Sequence, residues 1–317
     1  MTSRSEAIRA ASPAVEPAVV PVVIPEVSVA ATRRRLADFV ALGKPRVVLM
    51  VVMTTLVGYY LGAGFDLEWA RLIHLLVGTT LAAAGTLALN QFLERDLDAR
   101  MERTRRRPLP DGRLQPGEAA VFGGLLTAGG IAYLGVSVGT GCAAVIAVIA
   151  VLYLGLYTPL KRVSPLATVL GAVPGALPPV AGWVAARGEL GVGAAVLFAI
   201  LFLWQLPHTL AIARLYRDDY ARAGIRVLPV VDPDGGSTER QIVAGCLALH
   251  AAGLLPTLVG LTGGVYFFGA LLLGALFLVF GMAQALRPSA SAARRVVLAS
   301  VIYLPILLAL MALDKAG

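Results

Sequence analysis

The sequence predicts an all-α, polytopic membrane bundle of nine transmembrane helices with a cytoplasmic N-terminus, and three observations predict it. Of the 317 residues, 58% are hydrophobic and 15% are charged, against roughly 25% charged in an average soluble domain. Mean hydropathy is +0.79. A chain this long and this poor in charge cannot dress a water-facing surface, so soluble globular, disordered and fibrous classes are excluded. Its apolar residues also fall into runs near the ~20 residues a helix needs to cross ~30 Å of hydrocarbon. Finally, Lys and Arg alternate from side to side between those runs.

The N-terminal segment, residues 1–35, is expected to be a disordered cytoplasmic tail. Pro13, Pro17, Pro21 and Pro25 break any helix there, and no apolar stretch is long enough for a secretory signal. A transit peptide is the rival reading, and Glu6, Glu16 and Glu26 count against it. Residues 36–317 form the membrane domain. Its apolar runs are 47–64, 72–93, 119–138, 141–157, 166–185, 192–213, 242–260, 265–286 and 296–313. Gly and Ala inside them, such as Gly78, Ala82, Ala83 and Gly85, suit close helix contact in lipid. The fifth run carries Pro174, Pro178 and Pro179, so a kinked or broken helix is expected.

With the N-terminus inside, all but Arg71, Arg187 and Lys315 of the 27 Lys and Arg residues fall on the cytoplasmic side. This bias sets the orientation and supports the count of nine, since one miscounted span scrambles the alternation. It also explains the net charge of +8 without nucleic acid. The chain has three His and two Cys, and Cys142 and Cys246 lie in apolar runs. Neither a disulfide framework nor a zinc cluster is available.

Three inside loops carry chemistry. The first contains Asn90, Glu94 and Asp98, whose i, i+4, i+8 spacing puts them on one helix face. Like charges at i, i+4 destabilise an isolated helix by ~0.2–0.5 kcal/mol, which a cation offsets. Oxygen ligands without His or Cys suit Mg²⁺, which takes one or two carboxylates plus substrate phosphates. The same residues also fit a solvated helix end paired with Arg95 and Arg100. The loop continues through Arg103, Arg105, Arg106 and Arg107, a guanidinium cluster fit for a bidentate anion such as a diphosphate. The second loop is Tyr157-Thr158-Pro159-Leu160-Lys161-Arg162, with candidate phosphate ligands in Lys161 and Arg162. The third contains Asp218, Asp219 and Arg226 before Leu228-Pro229. Acidic residues, then Arg, then Leu-Pro recur in the first and third loops, which suggests a weak repeat with two facing metal half-sites.

Carboxylates for Mg²⁺ and cations for an anion, at one face of an apolar bundle, indicate an enzyme acting on a lipid diphosphate. Metal and cations would stabilise the departing diphosphate, and a water-poor chamber would protect the allylic cation. The isoprenoid chain arrives from membrane lipid, so its burial adds little net affinity and chamber length must select it. A transporter is the rival from another class. Transporters bind near the midplane, whereas the middle of each run here is nearly free of ionisable residues, His208 and His250 being the exceptions.

These motifs resemble the UbiA superfamily of intramembrane prenyltransferases, over residues 40–310. The resemblance rests on Asn90, Glu94, Asp98, Met101, Arg103, Thr104 and Arg107-Pro108-Leu109; on Tyr157, Thr158, Lys161 and Arg162; on Gly182-Trp183; and on Trp204-Gln205-Leu206-Pro207-His208, Asp219-Tyr220, Gly224-Ile225 and Leu228-Pro229. Glu94, where the superfamily usually has Asp, and the Pro207-His208 pair favour the haem-modifying branch over prenylation of an aromatic quinone precursor. Arg226 stands where that branch usually has Pro. The wider superfamily's second Asp-x-x-x-Asp motif is reduced, because Arg214 lies four before Asp218.

The resemblance implies a nine-helix bundle with a central cavity open sideways to lipid, in a bacterial-type inner membrane, with its site at the cytoplasmic face. It implies that farnesyl diphosphate and haem B give haem O and diphosphate. In that reading Asn90, Glu94 and Asp98 hold Mg²⁺. Asp219 completes the far side, with Asp218 a lesser candidate, and Arg103, Arg107, Lys161 and Arg162 bind the diphosphate. Tyr157 offers a ring face to a carbocation, or packs in the core. His208 binds haem iron or a propionate, or is a packing residue bonded to a neighbour. A downstream haem-modifying enzyme is a candidate partner for the tail.

Overall fold

The computed structural model describes residues 29–64, 67–232 and 234–316. Among them nine helices are long and apolar enough to cross a membrane. In chain order the elements are α1 (Val29–Leu42), α2 (Pro45–Gly62), α3 (Trp69–Asp98), α4 (Pro116–Ser137), α5 (Thr140–Leu160), α6 (Ala167–Arg187), α7 (Val192–Leu215), α8 (Arg217–Arg222), α9 (Leu228–Val231), α10 (Gly236–Leu258), α11 (Gly264–Leu286) and α12 (Ala290–Leu313). Helices α2–α7 and α10–α12 are the nine spans, each overlapping one apolar run of the sequence. No strand forms among the described residues. Most of the expected tail lies outside the described residues, but Val29–Arg35 are helical, the first turns of α1. That helix packs against α3.

Three packing devices position the site. The first is close contact between α3 and α4. A Cβ on Gly85 would stand 2.4 Å from the Thr127 nitrogen, and one on Gly130 would stand 2.5 Å from the Ala82 nitrogen. Only glycine lets the two backbones approach this far, and the contact locks the rotation of α3 about its axis. The second is α6, which breaks between Ala176 and Pro178 as its prolines predict. Its second half lies against α2, where a Cβ on Gly182 would meet the Thr55 carbonyl oxygen at 2.0 Å.

The third device is in α5. Pro159 has no N–H to continue the α-helical ladder, and the turn before it, Leu152–Tyr157, opens into a π-helix. The Thr158 N–H reaches back to the Tyr153 carbonyl, which also accepts from the Thr158 hydroxyl at 2.8 Å. The wide turn presents Tyr153 and Tyr157 together, with ring centroids 5.3 Å apart. Beneath these elements α7, α10, α11 and α12 share the largest apolar core.

Candidate active site

Helix α3 has 30 residues, about 45 Å of axis, so it outruns a hydrocarbon layer of ~30 Å. Its final turns carry Asn90, Glu94 and Asp98, all buried. Each is held. Asn90 donates through Nδ2 to Glu94 Oε1 at 2.7 Å and to Thr158 Oγ1 at 3.1 Å. Lys161 Nζ stands 2.5 Å from Glu94 Oε1. Arg107 Nη1 stands 2.7 Å from Asp98 Oδ2.

Lys44 completes the cluster, donating through Nζ to Asn90 Oδ1 at 3.2 Å. Desolvation and then the Arg107 charge push its pKa down to about 8. In the sequence Lys44 is only one of the 24 Lys and Arg residues assigned to the cytoplasmic side, 27 less Arg71, Arg187 and Lys315. Its backbone marks it out: φ is 49°, and Lys44 is the one described non-glycine residue at positive φ. Such a conformation costs roughly 1–2 kcal/mol and tends to be retained where function needs it. The sequence carries no signal of this, since a following proline biases its predecessor toward extended backbone, whereas Lys44 is left-handed.

The three loops meet at the same end of the bundle. Leu97 and Met101 pack against Ala223 and Ile225, and the Arg226 N–H donates to the Lys161 carbonyl at 3.0 Å. Within the first loop the Thr104 hydroxyl bonds the Asp98 carbonyl at 2.8 Å. Together these elements enclose a cavity of about 310 Å³. Four cations (Lys44, Arg103, Arg107 and Lys161) and two carboxylates (Glu94 and Asp98) line it. Tyr153 and Tyr157 form part of its wall, with Lys161 Nζ 5.8 Å from the Tyr157 ring centre. An apolar chamber of about 200 Å³ adjoins it within the bundle and shares Tyr153, Gly171 and Gln205 with the polar cavity.

Four expected site residues stand elsewhere. Arg162 is exposed, with its guanidinium 3.5 Å from the Leu93 carbonyl, outside the cavity. Asp218 is exposed. Asp219 is buried, but it accepts from the N–H groups of Glu102 and Arg103 at 3.4 Å each and pairs with Arg222. It therefore fastens the first loop from behind, and the third loop reaches the cavity through Tyr220, Ile225 and Val227. His208 is outside the cavity lining, on the flank of α7, bonded through Nδ1 to Ser300 Oγ at 2.7 Å and stacked on Trp204. It packs α7 against α12, because Gln205, Thr209 and Ile212 occupy the face of α7 toward the cavity.

The donor set fits one Mg²⁺. Among the described residues no group of three or more His, Cys, Asp or Glu could hold a metal, and the third loop adds no carboxylate to the cavity, because Asp218 is exposed and Asp219 is turned to the first loop and Arg222. Two carboxylates and a carboxamide on one helix face are hard oxygen donors, and substrate phosphate oxygens and waters ordinarily complete such a shell.

The UbiA prenyltransferase family model matches residues 51–307. The chain belongs to the UbiA prenyltransferase family. Protoheme IX farnesyltransferase of Solibacter usitatus is 47% identical over 89% of this chain and 100% of its own length. The protein of that name from Aquifex aeolicus is 36% identical over 90% of this chain and 98% of its own. Among solved structures, a digeranylgeranylglyceryl phosphate synthase superposes with a TM-score of 0.75 at 17% identity, covering 89% of this chain and 98% of that one. A UbiA homologue from Archaeoglobus fulgidus bound to GPP and Mg²⁺ gives 0.61 at 13% identity, covering 87% and 99%. This chain is thus a multi-pass membrane prenyltransferase with the family fold.

Proposed function

We propose that this prenyltransferase moves a farnesyl group from farnesyl diphosphate to a vinyl group of haem B, making haem O. The observation that carries the reading is a cation-rich polar cavity adjoining an apolar chamber across Tyr153, Gly171 and Gln205. A diphosphate sits among Lys44, Arg103, Arg107 and Lys161 while its isoprenoid chain lies below. Haem B as acceptor, ahead of a quinone precursor, is supported by relatives named protoheme IX farnesyltransferase. The positive-inside bias supports a site at the cytoplasmic face of a bacterial-type inner membrane.

Asn90, Glu94 and Asp98 would hold Mg²⁺, which would supply positive charge to the departing diphosphate. Lys161 and Arg107, paired with Glu94 and Asp98 in the substrate-free site, line the cavity and bind the diphosphate oxygens. The C1–O bond breaks and the diphosphate leaves with the electron pair. Tyr153 and Tyr157 exclude water and offer ring faces to the allylic cation. The vinyl π electrons form the new C–C bond. Water adds to the carbon left electron-deficient and loses a proton, which yields the hydroxyl. Asp219 positions Arg103 through the loop backbone.

Purified protein given farnesyl diphosphate, haem B and Mg²⁺ in detergent is expected to give haem O by mass spectrometry. Chelation of Mg²⁺ is expected to stop it. Prenylation of a quinone precursor with no haem product would overturn the assignment.

A further inference from the structure

The face of α3 that carries Asp98, Glu94 and Asn90 continues into the apolar length of the helix. Toward the far end it presents Thr86, Ala83 and Thr79, at steps of three and four residues. These three line the apolar chamber. The opposite wall is α6, and packing sets its position. A Cβ on Gly175 would stand 2.0 Å from Gln205 Oε1, and one on Gly171 would stand 2.4 Å from the Tyr157 ring. The far side of α3 is equally committed, at Gly85, to α4. With these backbones fixed, side-chain size on the lining, at the inner face of α3 and at Ile146 of α5, varies the room inside. Ala83, half buried at mid-chamber, is the smallest side chain of the three.

The chamber ends on a packed layer. Thr79 and Ile146 are 0% and 5% exposed. Beyond them Tyr59, Leu75 and Leu134 form one apolar cluster with Ile146. Asn90 and Thr79 are 11 residues apart on α3, about three turns or 16 Å of axis. One turn rises about 5.4 Å, close to the reach of the four backbone carbons of an isoprene unit. Three turns therefore match three isoprene units.

We infer that the inner face of α3 is a length gauge for the isoprenoid donor. Ala83 leaves room for the chain, and the layer beyond Thr79 stops it after the third unit. This rests on the site being a prenyl diphosphate site, and it adds which residues select chain length.

Non-cleavable thiolodiphosphates of geranyl, farnesyl and geranylgeranyl chains, titrated calorimetrically with Mg²⁺ into the purified full-length protein, test it. Ala83→Leu is expected to weaken the farnesyl analogue about ten-fold or more, the cost of overpacking a filled apolar site. The geranyl analogue should change by no more than about three-fold. Ile146→Ala should improve the geranylgeranyl analogue relative to farnesyl. Ala83→Val reads the same ratio if the leucine variant does not fold. Unchanged ratios in folded variants that still bind overturn the gauge alone. A wild-type protein that binds none of the three overturns the gauge together with the prenyl diphosphate site.

Discussion

Replacing Lys161 by Met separates what its charge does for the fold from what it does for substrate. Lys161 and Glu94 are both largely buried, with Nζ 2.5 Å from Oε1. Removing one partner of a buried pair costs about 3–5 kcal/mol, because the other charge is left uncompensated. Glu94 keeps its bond from Asn90 at 2.7 Å and borders a cavity that admits water, so about 2–3 kcal/mol is expected here. For a chain of this size that lowers Tm by about 5 °C. Loss of a charged hydrogen bond to the diphosphate, about 1.5–3 kcal/mol, lowers kcat/KM for farnesyl diphosphate about 10- to 150-fold. Adding Glu94→Gln removes the stranded charge, so the double variant should regain most of the Tm and none of the turnover. Thermal unfolding by tryptophan fluorescence and haem O production read the two effects. Wild-type turnover in Lys161→Met, or recovered turnover in the double variant, would refute the reasoning.

The remaining predictions concern position and packing. Asp219→Asn should raise KM for farnesyl diphosphate because it loosens the Glu102–Arg103 backbone, while Asp218→Asn, at an exposed position, should leave kinetics unchanged. His208→Ala should leave the absorption spectrum of bound haem unaltered and lower stability by about 1–2 kcal/mol, the loss of its bond to Ser300 and its stack on Trp204. A shifted Soret band in that variant would restore iron ligation. Gly85→Ala forces a Cβ to 2.4 Å from the α4 backbone and should cost about 1–3 kcal/mol. Gly124→Ala, with nothing within 4 Å, should be neutral or slightly stabilising; thermal melts compare the two.

Much of the site was legible because its residues share a helix. Asn90, Glu94 and Asp98 sit four residues apart on α3, and helical periodicity alone puts them on one face. Arg103 and Arg107 were legible as members of a dense guanidinium cluster, and Lys161 only through the company of the other two loops at the same face. Lys44 was missed because a lysine at the start of a span looks like topology, and only its left-handed backbone and its bond to Asn90 distinguish it. Arg162, Asp218, Asp219 and His208 were credited with contacts that neighbouring loops decide. Residue type told what each could bind, while the direction each points depends on α8, α12 and the loop before α4.

The chain's own composition determined that it lives in a membrane, how many times it crosses, where α6 breaks and which loops carry charge. Those properties follow from local chemistry: hydrophobic length, missing proline N–H groups and the placement of Lys and Arg. Tertiary packing alone decided which cations reach the carboxylates, that Asp219 braces a loop from behind, and how deep the apolar chamber runs. Those depend on how far α3 is turned about its axis, and that rotation is held by glycine contacts with α4 about forty residues away in sequence, beyond the reach of any local pattern.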